Sequence, residues 1–242
     1  MATAFKTLDI LTLQEPSKKR YQKNLDTLLD VISAHGSKDL ILAPEVFLTT
    51  FDYEHMSTVA KFSAKALKIL KKEISHQILV LTLIVEEAEG YVNQVVVIHQ
   101  HKIVYKHNKS KLFKLGDEDL HFHAGKKKKI QPFEINGVRY AILICFELRH
   151  KELWGQIEGA DVVLIPSMWG KARKRHLEVL SRALAIMNQC YVIVSNGANE
   201  DMARASAIIS PNGEVIKDEK KSAITAQIDL REITKIRRYI SM

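Results

Sequence analysis

Apolar runs of strand length alternate with amphipathic stretches along this chain, and the alternation predicts strands and helices in turn. Residues 5–13 read as a first strand. Residues 17–35 carry Leu25, Leu28, Leu29 and Ile32 at helical spacing, and Gly36-Ser37-Lys38-Asp39 ends that helix. Residues 40–44 read as a short buried strand, and 57–75 as a helix with Leu67, Leu70 and Ile74 on one face. Strands are predicted over 78–85, 91–99 and 103–107. A long loop, 109–128, precedes two further runs, 130–135 and 138–144, joined by Asn136-Gly137. Asn-Gly between such runs is a strong hairpin signal, because both residues tolerate positive φ. A helix over 151–158, a strand over 161–166, a helix over 173–189 and a strand over 191–195 follow. The stripe Leu177, Leu180, Leu184 and Met187 on the long helix is assigned to the core. Residues 205–209 and 214–217 flank Pro211-Asn212-Gly213 as another hairpin. Strand–helix units mixed with hairpins, without linker or repeat, predict one layered α/β domain over residues 1–242.

Bulk properties narrow the class. A hydrophobic content of 46% with 26% charged residues is that of a soluble globular chain. The longest apolar run, 78–85, falls far short of the roughly 18 residues of a membrane helix. The N-terminus shows no secretory pattern. Two cysteines, Cys145 and Cys190, are too few for a disulfide framework, so a reducing cytoplasm is the expected compartment. The net charge of +8 raises the question of nucleic acid. The lysines are spread along the chain without aromatic platforms or a finger pattern, and Lys126-Lys127-Lys128-Lys129 reads as a solvated loop. No specific nucleic-acid partner and no membrane are expected.

Three residues at predicted strand ends change the picture. Glu45 follows Leu40-Ile41-Leu42-Ala43-Pro44, Lys109 follows 103–107, and Cys145 follows Tyr140-Ala141-Ile142-Leu143-Ile144. Strand ends are where functional side chains converge in α/β sheets. A carboxylate, an ammonium and a thiol together suit acyl transfer: the thiol attacks a carbonyl or nitrile carbon, the carboxylate takes its proton, and the cation steadies the oxyanion. The polar segment after Cys145 is expected to open a helix whose N-terminal charge lowers the thiol pKa.

The chain resembles the nitrilase superfamily of carbon–nitrogen hydrolases. The glutamate motif is Leu42-Ala43-Pro44-Glu45-Val46-Phe47-Leu48, the lysine motif Lys109-Ser110-Lys111-Leu112-Phe113, and the cysteine motif Cys145-Phe146-Glu147-Leu148-Arg149-His150-Lys151-Glu152. The likeness continues through Pro166-Ser167-Met168-Trp169, residues 181–189 and residues 206–215, in the family's order. Glu147, His150 and Lys151 depart from the aspartate, phenylalanine and proline usual in the cysteine motif.

That resemblance implies a four-layer αββα sandwich and hydrolysis of a small linear amide through a thioester, in the manner of an omega-amidase. It implies Cys145 as nucleophile, Glu45 as general base and Lys109 as oxyanion stabiliser, with the Phe146 N–H as second donor. Glu118, seven residues before Gly125, matches a second family glutamate that supports the lysine. Met168 and Trp169 match a pocket-wall segment. No cofactor and no metal are implied, and His121 and His123 are read as solvated loop residues. A homodimer is implied, and the tail around residues 236–240 is a candidate to cross to the partner. N-carbamoyl compounds and nitriles are alternative substrates, and a catalytically silent scaffold is the rival of another class.

Overall fold

The computed structural model describes residues 7–125 and 130–240. The first two positions of the predicted opening strand and the lysine run 126–129 lie outside the described residues. In chain order the elements begin with β1 (Thr7–Leu13), α1 (Tyr21–Ala34), β2 (Leu40–Leu42), α2 (Met56–Glu73), β3 (Ile78–Glu87), β4 (Gly90–His99) and β5 (Lys102–Asn108). They continue with α3 (Glu118–His121), β6 (Phe133–Ile135), β7 (Val138–Ile142), α4 (Lys151–Trp154), β8 (Val162–Ser167), α5 (Lys174–Met187) and β9 (Tyr191–Asn196). The last elements are β10 (Ala207–Ile209), β11 (Val215–Ile216), β12 (Ala223–Asp229) and α6 (Arg231–Tyr239).

Two six-stranded mixed sheets result, ordered β12-β1-β2-β3-β4-β5 and β11-β10-β9-β8-β7-β6. Each has a parallel centre, β1-β2-β3 in one and β7-β8-β9 in the other, with antiparallel neighbours on both sides. Side-chain parity builds the layers. Leu8, Ile10, Leu40, Leu42, Val95 and Val97 join one cluster with the strands of the second sheet. Their neighbours Leu11, Leu13, Ile41, Leu79 and Val96 join Leu25 and Leu28 of α1 and Ala66 and Leu70 of α2. Each of these aliphatic side chains contributes about 1.5–3 kcal/mol on leaving water, which is what holds sheet to sheet and sheet to helix. The second sheet is covered in turn by Leu177, Leu184 and Ala185 of α5 and Ile233 of α6. The architecture is the expected αββα sandwich.

The Asn136-Gly137 hairpin forms as expected: both residues have positive φ, 53° and 76°, the conformation a two-residue turn between twisted strands requires. Met187 does not belong to the core stripe. It is 60% exposed at the end of α5, where Ser181 and Ala185 take the inward positions beside Leu177 and Leu184. The strand β12 and the helix α6 had no sequence expectation. The C-terminal helix docks on its own chain: Arg237 reaches Asp161 at 3.1 Å and the Ala160 carbonyl at 2.6 Å. The Gln189 amide reaches the Ile240 carbonyl at 2.6 Å. Among the described residues no helix is long and apolar enough to cross a membrane.

Candidate active site

The C-terminal ends of β2, β5, β7 and β8 meet at one end of the sandwich, and each delivers one part of a buried cluster. Glu45 leaves β2 on a backbone held by both sheets: its N–H donates to the Ser167 carbonyl, and the Val46 N–H donates to the Thr82 hydroxyl at 2.6 Å. Val46 has φ 42° and Cys145 φ 47°, both in the left-handed region that non-glycine residues avoid. Such backbone costs on the order of 1–3 kcal/mol per residue, and here it falls next to Glu45 in one turn and at Cys145 itself in the other.

Lys109 is fully buried, and its ammonium sits between two carboxylates, 2.7 Å from Glu45 Oε1 and 2.7 Å from Glu118 Oε1. Glu118 opens α3, is 3% exposed, and accepts the Phe113 N–H on its other oxygen at 3.0 Å. Burial pulls the Lys109 ammonium toward deprotonation, but Glu45, Cys145 and Glu118 together outweigh it and hold its pKa above the ordinary lysine value. Burial raises the Glu118 pKa, with Glu45 adding to the rise and Lys109 opposing it.

Cys145 is 8% exposed and opens a five-residue 3₁₀ turn, Cys145–Arg149, rather than an α-helix. The expected depression of its thiol pKa does not occur. Burial raises it well above the ordinary value and the Glu45 charge raises it further, while Lys109 and the Met168 N–H pull the other way. Desolvating the thiolate costs more than one short turn returns, so the resting group is a thiol. The carboxylate whose charge acts most strongly on it is that of Glu45.

Two residues of the cluster escaped the sequence reading. Asn93 of β4 is 1% exposed and donates to Glu45 Oε1 at 2.8 Å. The signal was available: an amide at a strand position whose parity partners, Val95 and Val97, are core. Glu147, noted in the sequence only as a departure from aspartate, is fully buried and acts as a clamp. Its Oε1 accepts the Ser110 N–H and hydroxyl, each at 2.7 Å, and its Oε2 accepts the Ile144 N–H at 2.8 Å.

Cys145 faces a narrow cleft of about 30 Å³, walled by Phe113, Phe146, Met168 and Trp169. The expected wall residues Met168 and Trp169, and Phe146, expected as an N–H donor, thus share the cleft with Cys145. Arg149 and Arg173 complete it: Arg149 lies 4.9 Å from the Trp169 ring and Arg173 5.2 Å from the Phe113 ring. Neither arginine was singled out in the sequence. His123 is exposed, whereas His121 stacks on Tyr53 with ring centroids 4.0 Å apart. Among the described residues no group of three or more His, Cys, Asp or Glu side chains is arranged to hold a metal. Cys145 and Cys190 are both unpaired thiols.

An αββα sandwich with a thiol, a carboxylate and a buried ammonium at its strand ends holds the groups that acyl transfer requires. Comparison with known proteins agrees. Residues 12–238 match the carbon-nitrogen hydrolase family, and the chain belongs to it. It is an amidohydrolase acting on carbon–nitrogen bonds other than peptide bonds. The chain is 29% identical over 232 residues to the 2-oxoglutaramate amidase of Bacillus subtilis (strain 168), covering 90% of this chain and 88% of that one. It is 28% identical over 211 residues to the omega-amidase YafV of Escherichia coli (strain K12), covering 85% and 78%. Its fold superimposes with a TM-score of 0.83 and 18% identity on a mutant amidase from Nesterenkonia sp. AN1, covering 96% and 94%. That amidase carries the acetamide moiety of fluoroacetamide covalently on its active-site cysteine.

Proposed function

We propose that the whole chain is one catalytic domain that hydrolyses small linear amides, as an omega-amidase does, through a thioester on Cys145. The observation that carries this reading is the Lys109 ammonium, held at 2.7 Å by both Glu45 and Glu118 beside the Cys145 thiol. Glu45 takes the thiol proton as Sγ attacks the amide carbon. The oxyanion is received by Lys109, which has one N–H beyond its two carboxylate bonds, and by the Phe146 N–H. The tetrahedral adduct collapses as the C–N bond breaks, and the nitrogen leaves as ammonia or amine with the proton from Glu45. Water, deprotonated by Glu45, then attacks the thioester; the acid leaves and the sulfur recovers its proton. Glu118 keeps Lys109 in place throughout.

The relatives named for 2-oxoglutaramate and omega-amides support a linear amide over a nitrile. The cleft supports an amide with a carboxylate at its other end. Its charged wall residues are Arg149 and Arg173, and Arg173 makes a ring contact with Phe113 while having no carboxylate partner among the described residues. A guanidinium left without an anion is suited to receive one from the substrate. Two buried unpaired thiols support a reducing, cytoplasmic setting. A homodimer is supported by the exposed apolar side chains Val179, Ile186 and Met187 along α5.

The test is ammonia release across small ω-amides of dicarboxylic acids, neutral amides, N-carbamoyl amino acids and nitriles, with Cys145→Ala as control. Release from the first group, lost in the variant, is the expected result. Release from none of them, with Cys145 alkylating no faster than Cys190, would identify a silent scaffold instead.

A further inference from the structure

Glu45 has two oxygens, and its surroundings treat them differently. Oε1 accepts two bonds, from Lys109 Nζ at 2.7 Å and from Asn93 Nδ2 at 2.8 Å. Oε2 accepts one, from the Met168 N–H at 3.2 Å, on the side where that same N–H also approaches Cys145. A carboxylate oxygen has two lone-pair sites, so Oε1 is saturated and Oε2 keeps one free.

Asn93 is an odd occupant of its position. It shares strand parity with Val95 and Val97, whose side chains fill the layer between the sheets. Its own carboxamide is buried there, and its Oδ1 has no hydrogen-bond partner. A buried acceptor without a partner is unfavourable, and an aliphatic side chain would avoid it. The side chain's hydrogen bond is the one to Glu45, so that bond is what the amide is for. The Asn93 main chain acts on the same pair: its carbonyl accepts the Lys109 N–H at 2.8 Å. One residue of β4 thereby sets the position of both the carboxylate and the ammonium.

We propose that Asn93 is a positioning residue that closes Glu45 Oε1 to protons and so assigns the base function to Oε2, the oxygen on the Cys145 side. The inference rests on Glu45 acting as the base. Without the Asn93 donor, Oε1 regains a free lone pair beside the Lys109 ammonium. The carboxylate can then turn or take its proton in a place from which it cannot serve the thiol. Asn93 itself lines no wall of the cleft, so the groups that touch the substrate stay the same.

The experiment compares the full-length wild type with Asn93→Leu and Asn93→Ser in ammonia release and melting temperature. Alkylation of Cys145 by iodoacetamide is followed in the same proteins. For Asn93→Leu, kcat falls roughly tenfold or more, within the range that general base catalysis spans. KM stays within about twofold, because truncation away from the substrate alters only the transition state. Cys145 alkylation slows in parallel, and the melting temperature does not drop, because the orphaned acceptor is gone. Asn93→Ser, which is smaller and cannot strain the layer, shows the same split and decides the matter if the leucine variant does not fold. Unchanged kcat in a folded variant overturns the proposal. So does a kcat loss that merely tracks a lower melting temperature, which is the mark of a structural role. A wild type that releases no ammonia and whose Cys145 alkylates no faster than Cys190 fails earlier, at the assignment of Cys145 and Glu45 themselves.

Discussion

Glu147 holds Ser110 by two hydrogen bonds of 2.7 Å, one from the Ser110 N–H and one from its hydroxyl, and this grip ties the cysteine turn to the lysine loop. The other Glu147 oxygen takes the Ile144 N–H at 2.8 Å, directly before Cys145. A fully buried carboxylate with three donors joins the end of β7 to the residue after Lys109.

Glu147→Gln is nearly isosteric but brings an NH₂ group toward a site that offers only donors. One N–H or hydroxyl loses its partner, at a cost of about 1–3 kcal/mol. The expected outcome is a lower denaturant midpoint together with a reduced kcat, because Lys109 and Cys145 lose their common anchor. Equilibrium denaturation and steady-state kinetics on one preparation check it. An unchanged kcat would show that the loop keeps its register without the clamp.

Lys109→Met removes the cation between Glu45 and Glu118 while filling similar volume. Breaking a buried ion pair from one side costs about 3–5 kcal/mol, because the remaining charge is stranded. Two carboxylates then face each other in a dry site, and one of them takes up a proton. Stability at neutral pH falls, and part of it returns on moderate acidification, where that proton is supplied. Thermal melts from pH 8 to pH 5 measure both effects. Ammonia release is abolished at every pH.

The thiols give the chain an alkaline weakness. The Cys190 pKa is pushed up to about 12, by burial first and by Asp161 in small part, against Arg237. That of Cys145 is raised as well. A folded-state pKa above the unfolded value of 9.0 means stability that is fully present below pH 9 and lost as pH climbs toward 12. The slope approaches about 1.4 kcal/mol per pH unit for each thiol. Urea melts between pH 8 and pH 10.5 should show the decline, and Cys190→Ala should make it shallower. An equal slope in the variant would remove Cys190 from the account.

Arg173→Met tests recognition by charge. The variant should lose roughly tenfold or more in kcat/KM on an ω-amide bearing a carboxylate, the scale of one charge-assisted hydrogen bond, about 1.5–3 kcal/mol. On a neutral amide of the same length it should lose little. Equal losses on both would assign Arg173 to the packing of Phe113 rather than to the substrate.

Much of the molecule was legible in its sequence for local reasons. Apolar runs of strand length marked β1, β3, β4 and β8, helical spacing marked α1 and α5, and Asn136-Gly137 marked a turn that such residues close easily. These features depend on a residue and its near neighbours. Glu45, Lys109 and Cys145 were found because each follows a recognisable run, Glu118 through the family resemblance, and the structure brings all four together.

Other features depended on distance. Met187 matches a helical stripe, yet α5 ends before the sheet can cover it. Cys145 looked like a thiol with a depressed pKa, and burial among Glu45 and Glu118 reverses the sign. Asn93 and Glu147 looked unremarkable because their partners lie 48 and 37 residues away. The sequence by itself determined most of the elements before β12, their order and the chemical groups at the strand ends, since short-range sterics and side-chain periodicity suffice for those. Only the tertiary structure decided which oxygen of Glu45 is free, which proton Cys145 keeps and which cations line its cleft. Those properties come from desolvation and from contacts between distant strands, and no local pattern encodes them.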